Sequence, residues 1–317
     1  KFKYYSVLFL MIALAIFGIK NLRVDNYLTD EVNKSSSLYQ EMSFFNDNFG
    51  GIKPITFKTE IDSNTQISQL IDFEYFLQEK QVSLDFSLSR LVENPQLVTK
   101  SLLRKITKEA YKIQSRMNDI GSKKSFAIFQ EIKEKAEKLG LSLKIGGAGY
   151  LFDQVSNKLT LEILYGLMIA ILTIGILFVL INKFNLNYFF VALIPNVFPI
   201  IVSIGVLCFS DFYFSLSNAF IFAIVFGLIV DDSIHILSSY RFNVIKGMSK
   251  DEAISTSLNI TARAVIKTTI VVIVTLLPLL LSEFKSVSQL GVITIISAII
   301  AIIFDLLFLP DLIKRYL

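Results

Sequence analysis

The sequence predicts a polytopic α-helical membrane protein, with a water-exposed α+β domain set between its first helix and a bundle of five more. Three observations predict it. Hydrophobic residues make up 53% of the 317 and the mean hydropathy is +0.58, too apolar for a soluble chain of this length. They cluster into about six runs that approach the ~20 residues needed to cross ~30 Å of hydrocarbon: near 4–20, 161–182, 187–209, 215–238, 263–282 and 287–309. The interval 21–158 is instead charged and polar and has the usual size of a domain. The predicted layout is one transmembrane helix (1–20), an outside domain (21–158) and a five-helix bundle (159–317).

The first run has the basic start and apolar core of a signal peptide. It ends Phe17-Gly18-Ile19-Lys20, without a small-residue cleavage site, so it reads as a retained helix. Lysines and arginines in short loops set the orientation. Lys1 and Lys3 precede the first helix, Lys183 follows the second, and Arg241, Lys246, Lys250 and Arg263 lie between the fourth and fifth. Lys314 and Arg315 close the chain, whereas the opposite loops hold Asp211, or Glu283 with Lys285. Both termini are therefore expected in the cytoplasm and the 21–158 domain outside. The net charge of +4 sits largely in these loops and calls for no nucleic acid. Cys208 is the single cysteine, which leaves a packing role rather than a disulfide or metal site.

In the outside domain, residues 21–52 read as irregular. Ile55–Ile61 alternates as a strand, and Ile67, Leu70, Ile71, Glu74 and Leu77 mark a helix over 65–79. Residues 82–89 alternate again, a basic helix is expected near 96–106, and Tyr111–Met117 forms a third strand. An amphipathic helix over 123–139 and a strand over 141–145 complete a β-α-β, β-α-β order, the ferredoxin-like plan. Gly146-Gly147-Ala148-Gly149 lacks the spacing of a dinucleotide fingerprint and reads as a tight turn into the second membrane helix.

The chemistry concentrates in the fourth membrane helix, at Gly227-Leu228-Ile229-Val230-Asp231-Asp232-Ser233-Ile234-His235. A carboxylate at membrane depth is unfavourable by roughly 2.5–3.5 kcal/mol, so two in a row are a functional signal. Gly227, Asp231 and His235 share a helix face at spacings of four, and Gly227 suits a close helix approach. With the helix ending near 238, Asp231 is ~10 Å deep, and Lys267 in the fifth helix is ~6–9 Å deep. A carboxylate pair beside one ammonium makes a proton switch, because moving the cation changes proton affinity. Asp231 and Asp232 are expected to load and release the proton, with Lys267 as counter-charge, Thr268 or Thr269 assisting and His235 relaying.

Plainer readings stand beside these. Asp232 also suits a structural partner of Lys267, Lys267 a snorkelling lysine, and His235 a wet interfacial residue. Asp305 reads as a bundle-terminus residue rather than a carrier. Asn196 and Asn218 read as interhelical hydrogen-bond partners, and Pro195, Pro199 and Pro278 as helix bends. Ser249-Lys250-Asp251-Glu252 has the form of a capping box and predicts a short cytoplasmic amphipathic helix over 249–262.

The one-plus-five layout and these local words resemble one half of a resistance–nodulation–division (RND) transporter. The words are Leu193-Ile194-Pro195-Asn196, the Gly227–His235 stretch running to Tyr240-Arg241, the Lys-Thr-Thr helix, and Phe304-Asp305 through Leu309-Pro310. Leu22-Arg23-Val24-Asp25 and Phe49-Gly50-Gly51 fit as well. The resemblance spans essentially the whole chain and is closest to the MMPL-like and hopanoid-exporter branch. It implies proton-driven export of lipids or other hydrophobic molecules from a bacterial inner membrane, and an outer domain of the porter type. It also implies a second RND half, in the same chain or another subunit, and an oligomer. No nucleophile–base triad, zinc spacing or Walker loop is visible. A non-enzyme is therefore expected, with protons as coupling ion and no cofactor or metal. Two other classes remain open: a SecF-like auxiliary of protein secretion, and a sterol- or lipid-sensing membrane module.

Overall fold

A computed structural model describes residues 2–60, 67–85, 87–88, 110–210 and 213–317. The chain opens with helix α1 (Phe2–Asn21) and the short strand β1 (Arg23–Val24). It divides into two compact units, Asp25–Leu159 and a second made of Lys1–Val24 with Thr160–Leu317.

The Asp25–Leu159 unit is built on a four-stranded antiparallel sheet. Helix α2 (Ser37–Asn48) comes first, then β2 (Lys53–Glu60), α3 (Ile67–Glu79), β3 (Ser83–Leu84), β4 (Ala110–Met117), α4 (Ser122–Lys138) and β5 (Leu143–Gly146). The spatial order is β3-β4-β2-β5, with Phe57 opposite both Ile113 and Ile145. Period-two alternation sends Ile55, Phe57, Ile113 and Met117 to one face, where they bury against Leu70, Phe73 and Leu77 of α3 and Phe129 and Ile132 of α4. Glu74 interrupts the apolar stripe of α3 for a reason. Its buried carboxylate accepts hydrogen bonds from the Ser87 hydroxyl (2.7 Å), the Leu88 amide (3.0 Å) and the Tyr111 hydroxyl. Burial and that last bond push the Tyr111 hydroxyl well above the ordinary phenol range.

Of the strand expected over 82–89, Ser83–Leu84 pairs with β4, while residues 86 and 89 lie outside the described residues. The Asp85 amide still reaches Gln114 O at 2.9 Å, but the Leu88 amide turns to Glu74 and the ladder stops. The basic helix expected at 96–106 lies outside the described residues. Within 21–52, read as irregular, the structure has α2, capped by the Ser36 hydroxyl accepting from the Tyr39 amide at 3.2 Å. This helix buries none of its residues, so no inward stripe announced it. It ends at Gly50-Gly51, where a Cβ on Gly51 (φ +110°) would come within 2.1 Å of the Met117 backbone.

A polar cluster, invisible in the sequence, ties this unit together. Lys53 Nζ lies 2.6 Å from Asp119 Oδ1 and 2.8 Å from Asp153 Oδ1, with all three side chains at or below 2% exposure. The other Asp119 oxygen accepts from the Thr29 amide and hydroxyl at 2.8 and 2.9 Å. Asp153 stands near the start of α5 (Ala148–Ile181), a continuous helix that contributes Ala148–Leu159 to this unit and the rest to the other.

In the other unit, α5 is followed by α6 (Asn187–Leu207), β6 (Tyr213–Phe214), α7 (Leu216–Ile245) and α8 (Lys250–Leu276), which tightens into a 3-10 turn at Pro278. Then come α9 (Lys285–Ile303), a π-helical turn over Phe304–Phe308, and α10 (Leu309–Tyr316). Among the described residues five segments are long and apolar enough to cross a membrane: Ala148–Ile181, Asn187–Leu207, Leu216–Ile245, Lys250–Leu281 and Lys285–Tyr316. Helix α1 adds a shorter apolar stretch, Phe9–Gly18. The chain is a multi-pass membrane protein.

Three features depart from expectation. First, α8 is one helix from Lys250 onward, so the cytoplasmic helix over 249–262 and the fifth membrane helix are continuous. Its capping box at Ser249 and Glu252 forms as expected. No glycine or proline interrupts the segment, and amphipathic and lipid-facing stretches can share a helix axis. Second, β1 and β6 pair in parallel, Arg23 with Tyr213 and Val24 with Phe214. Third, the close helix approach falls at α1 and α6 rather than at Gly227. A Cβ on Gly205 would sit 1.9 Å from Leu14 O, and one on Gly18 2.5 Å from Gly205 N. Gly205→Val therefore forces these helices apart, and we expect a loss of about 1–3 kcal/mol, the scale of overpacking. Thermal unfolding of the detergent-solubilised chain measures it.

Candidate functional site

The Asp231–His235 word lies at the middle of α7, because the helix runs on to Ile245 instead of ending near 238. Ser238, Ser239 and Arg241 are carried on the same helix. The depths estimated from an end at 238 therefore do not hold.

Three carboxylates here differ sharply in surroundings. Asp231 Oδ1 is 3.4 Å from His235 Nε2 on the outward face, the two side chains being 70% and 67% exposed. Asp232 is half-buried and, with Asp231, lines a cavity of ≈ 100 Å³ whose other walls include Thr268, Thr269, Thr294 and Ala301. Asp305 is fully buried. Its Oδ1 accepts a hydrogen bond from the Ser233 hydroxyl at 2.6 Å, while Oδ2 has no hydrogen-bond partner among the described residues. It stands in the π-helical turn, an irregularity frequent at functional sites.

Thr268 and Thr269 of α8 reach the cavity, each donating its hydroxyl to the Val265 carbonyl, at 2.9 and 2.8 Å. A hydroxyl that donates keeps lone pairs for accepting, so these oxygens suit a proton or water in the cavity. Lys267 does not join them. It is exposed, does not line the cavity, and forms no ion pair among the described residues. The reason is helical register. Val265 and Thr269 are the buried positions in this stretch of α8, and Lys267, two residues from each, is turned ~200° away at ~100° per residue.

Gly227 is also corrected as a contact point, since a Cβ there would meet nothing within 4 Å among the described residues. Asn196 is buried in α6 and its amide donates to its own helix at Ala192 O, 2.6 Å away. Asn218 is buried in the first turn of α7, where its backbone amide reaches the Ser215 cap. About 20 Å of helix separates it from Asp231, at 1.5 Å per residue. Neither asparagine is brought to the acidic cluster by its own helix. Sequence reasoning overlooked Ser233 and Thr294. Ser233 sits within the acidic word itself, and Thr294 is a polar residue within the apolar run of α9, buried with its hydroxyl unpartnered among the described residues.

Comparison with known proteins returned one family model, the MMPL family, over residues 92–314. No curated protein matched. The matched span covers well over half of the chain and contains α7, α8, α9 and every carboxylate of the cluster. The chain is a membrane transporter of the RND type and belongs to the MMPL family.

Proposed function

We propose that this protein exports lipids or other hydrophobic molecules outward from a bacterial inner membrane or periplasm, driven by the proton-motive force. The observation that carries the reading is the graded set of carboxylates around a small threonine-lined cavity at mid-helix. A dry apolar bundle has no structural need for Asp231 and Asp232, and ionisable groups inside membrane helices mark ion or proton pathways. In this reading Asp232 takes a proton from one side and releases it to the other. Thr268, Thr269 and Thr294 hold the water that carries it, and His235 exchanges protons with Asp231. Lys267 has no part as counter-charge in this arrangement. Protons are the coupling ion, with no cofactor and no enzymatic step.

The exposed Asp231–His235 couple also supports a partner. A carboxylate and an imidazole at the middle of a membrane helix are unfavourable against lipid. We therefore assign that face to a second RND half, in the same chain or another subunit, within an oligomer. In the Asp25–Leu159 unit, the order β3-β4-β2-β5 with all pairs antiparallel supports a ferredoxin-like porter domain outside the cell. Both termini then lie in the cytoplasm.

Retention of a lipophilic fluorescent dye by energised cells tests the coupling. Cells producing the protein are expected to retain less dye than cells without it, and an uncoupler should erase the difference. Export that persists with the proton gradient collapsed would rule out this drive, and equal dye retention with and without the protein would favour a lipid-sensing or secretion-auxiliary role.

A further inference from the structure

We propose that Asp305 is an inner proton-holding residue of this transporter, exchanging its proton with the Asp232 cavity by way of the Ser233 hydroxyl. The inference rests on the proton-driven reading above and extends it to a residue that the sequence marks only as a helix terminus.

Asp305 is 0% exposed, yet its carboxyl group receives one hydrogen bond, from Ser233, and leaves Oδ2 without a partner among the described residues. Burying a carboxylate as an anion with so little compensation is strongly unfavourable. Among the described residues Asp305 forms no ion pair. Helix α6 carries no charged residue, and the charged residue at the start of α9, Lys285, lies five helical turns away by chain position. In α10, Arg315 pairs with Asp311 and Lys314 with Asp251. On α7 the ionisable side chains are Asp231, Asp232, His235, Tyr240 and Arg241; Arg241 lies eight residues, ~12 Å along the axis, beyond Ser233, and none of them pairs with Asp305 among the described residues.

The route is short. Ile229 and Ala301 line the cavity, and Ser233 and Asp305 stand four residues beyond them on their respective helices. On α7 the cavity reaches Asp232, the neighbour of Ser233, and Asp305 stands about one turn, ~6 Å, past Ala301 of α9. A hydroxyl both donates and accepts. Ser233 can accept the proton of Asp305 while passing its own to cavity water, which returns the hydroxyl to neutrality and leaves Asp305 an anion. The reverse movement reloads it.

The rival reading is structural: the contact merely fastens α9 to α7. Asp305→Asn, Asp305→Glu, Ser233→Ala and, in parallel, Asp232→Asn separate the two, each checked for normal insertion. The probes are dye export from energised cells and infrared difference spectra of the purified protein across a pH titration. We expect Asp305→Asn to lower export at least tenfold and remove a protonated-carboxyl carbonyl band, Asp305→Glu to restore part of both, and Ser233→Ala to slow export severalfold. Full export with an unchanged band in Asp305→Asn, alongside loss in Asp232→Asn, overturns the inner site and spares the proton-driven reading. Full export in both variants overturns the two together.

Discussion

Lys53→Met is expected to destabilise the Asp25–Leu159 unit by about 3–5 kcal/mol, the scale of removing one partner from a buried ion cluster. The lysine is fully buried between Asp119 and Asp153, and its loss strands two carboxylates away from water. The substitution keeps the apolar stem, so lost packing contributes little. The size of the effect belongs to the broken cluster rather than to the intrinsic worth of the charges. Replacing Lys53, Asp119 and Asp153 together by apolar residues of similar volume should therefore recover much of the loss. The Thr29 bonds to Asp119 set a ceiling on that recovery, because they leave with the aspartate. Thermal unfolding of the solubilised full chain, followed by amide exchange of the unit, reads both variants. A Lys53→Met protein as stable as the parent would show the cluster to be energetically idle.

Asp232→Asn is expected to lower export by at least about 10²-fold, the scale of losing a positioned proton-transfer group. Asparagine keeps the shape and most of the hydrogen bonding but neither binds nor releases a proton at working pH. Asp231, exposed and paired with His235, is the more replaceable of the two. Asp231→Asn should cost less export than Asp232→Asn, and His235→Gln less than either. Equal losses at all three positions would point to a shared structural requirement. The dye assay with matched membrane levels ranks them.

The sheet strands β2 and β4 and the helices α3 and α4 were legible because burial on one face writes its period into the residues. The membrane helices were legible for the opposite reason, since immersion in lipid removes polar residues over ~20 positions. Helix ends were not. Hydropathy marks where a helix leaves lipid, whereas α5, α7 and α8 continue into polar sequence without a glycine or proline to stop them. That is why Asp231 moved from near an end to mid-helix. The acidic word was readable as a site, but its partners were not. Whether Lys267 or Thr269 faces the aspartates depends on which side of α8 packs inward, a choice of two residues that periodicity alone leaves open. Ser233 with Asp305, 72 residues apart, and Lys53 with Asp153, 100 apart, are tertiary pairings that no local pattern encodes. Gly205 looked like any small residue in an apolar helix until Leu14 lay against it.

Proton movement itself tests the account most directly. Membrane vesicles containing the protein and an internal pH indicator are held under a proton gradient, and the lipophilic dye is added. The account predicts dye-stimulated proton flux down the gradient in the parent protein and none above background in Asp232→Asn. Undiminished dye-stimulated flux in Asp232→Asn, with the variant inserted at normal levels, would contradict it.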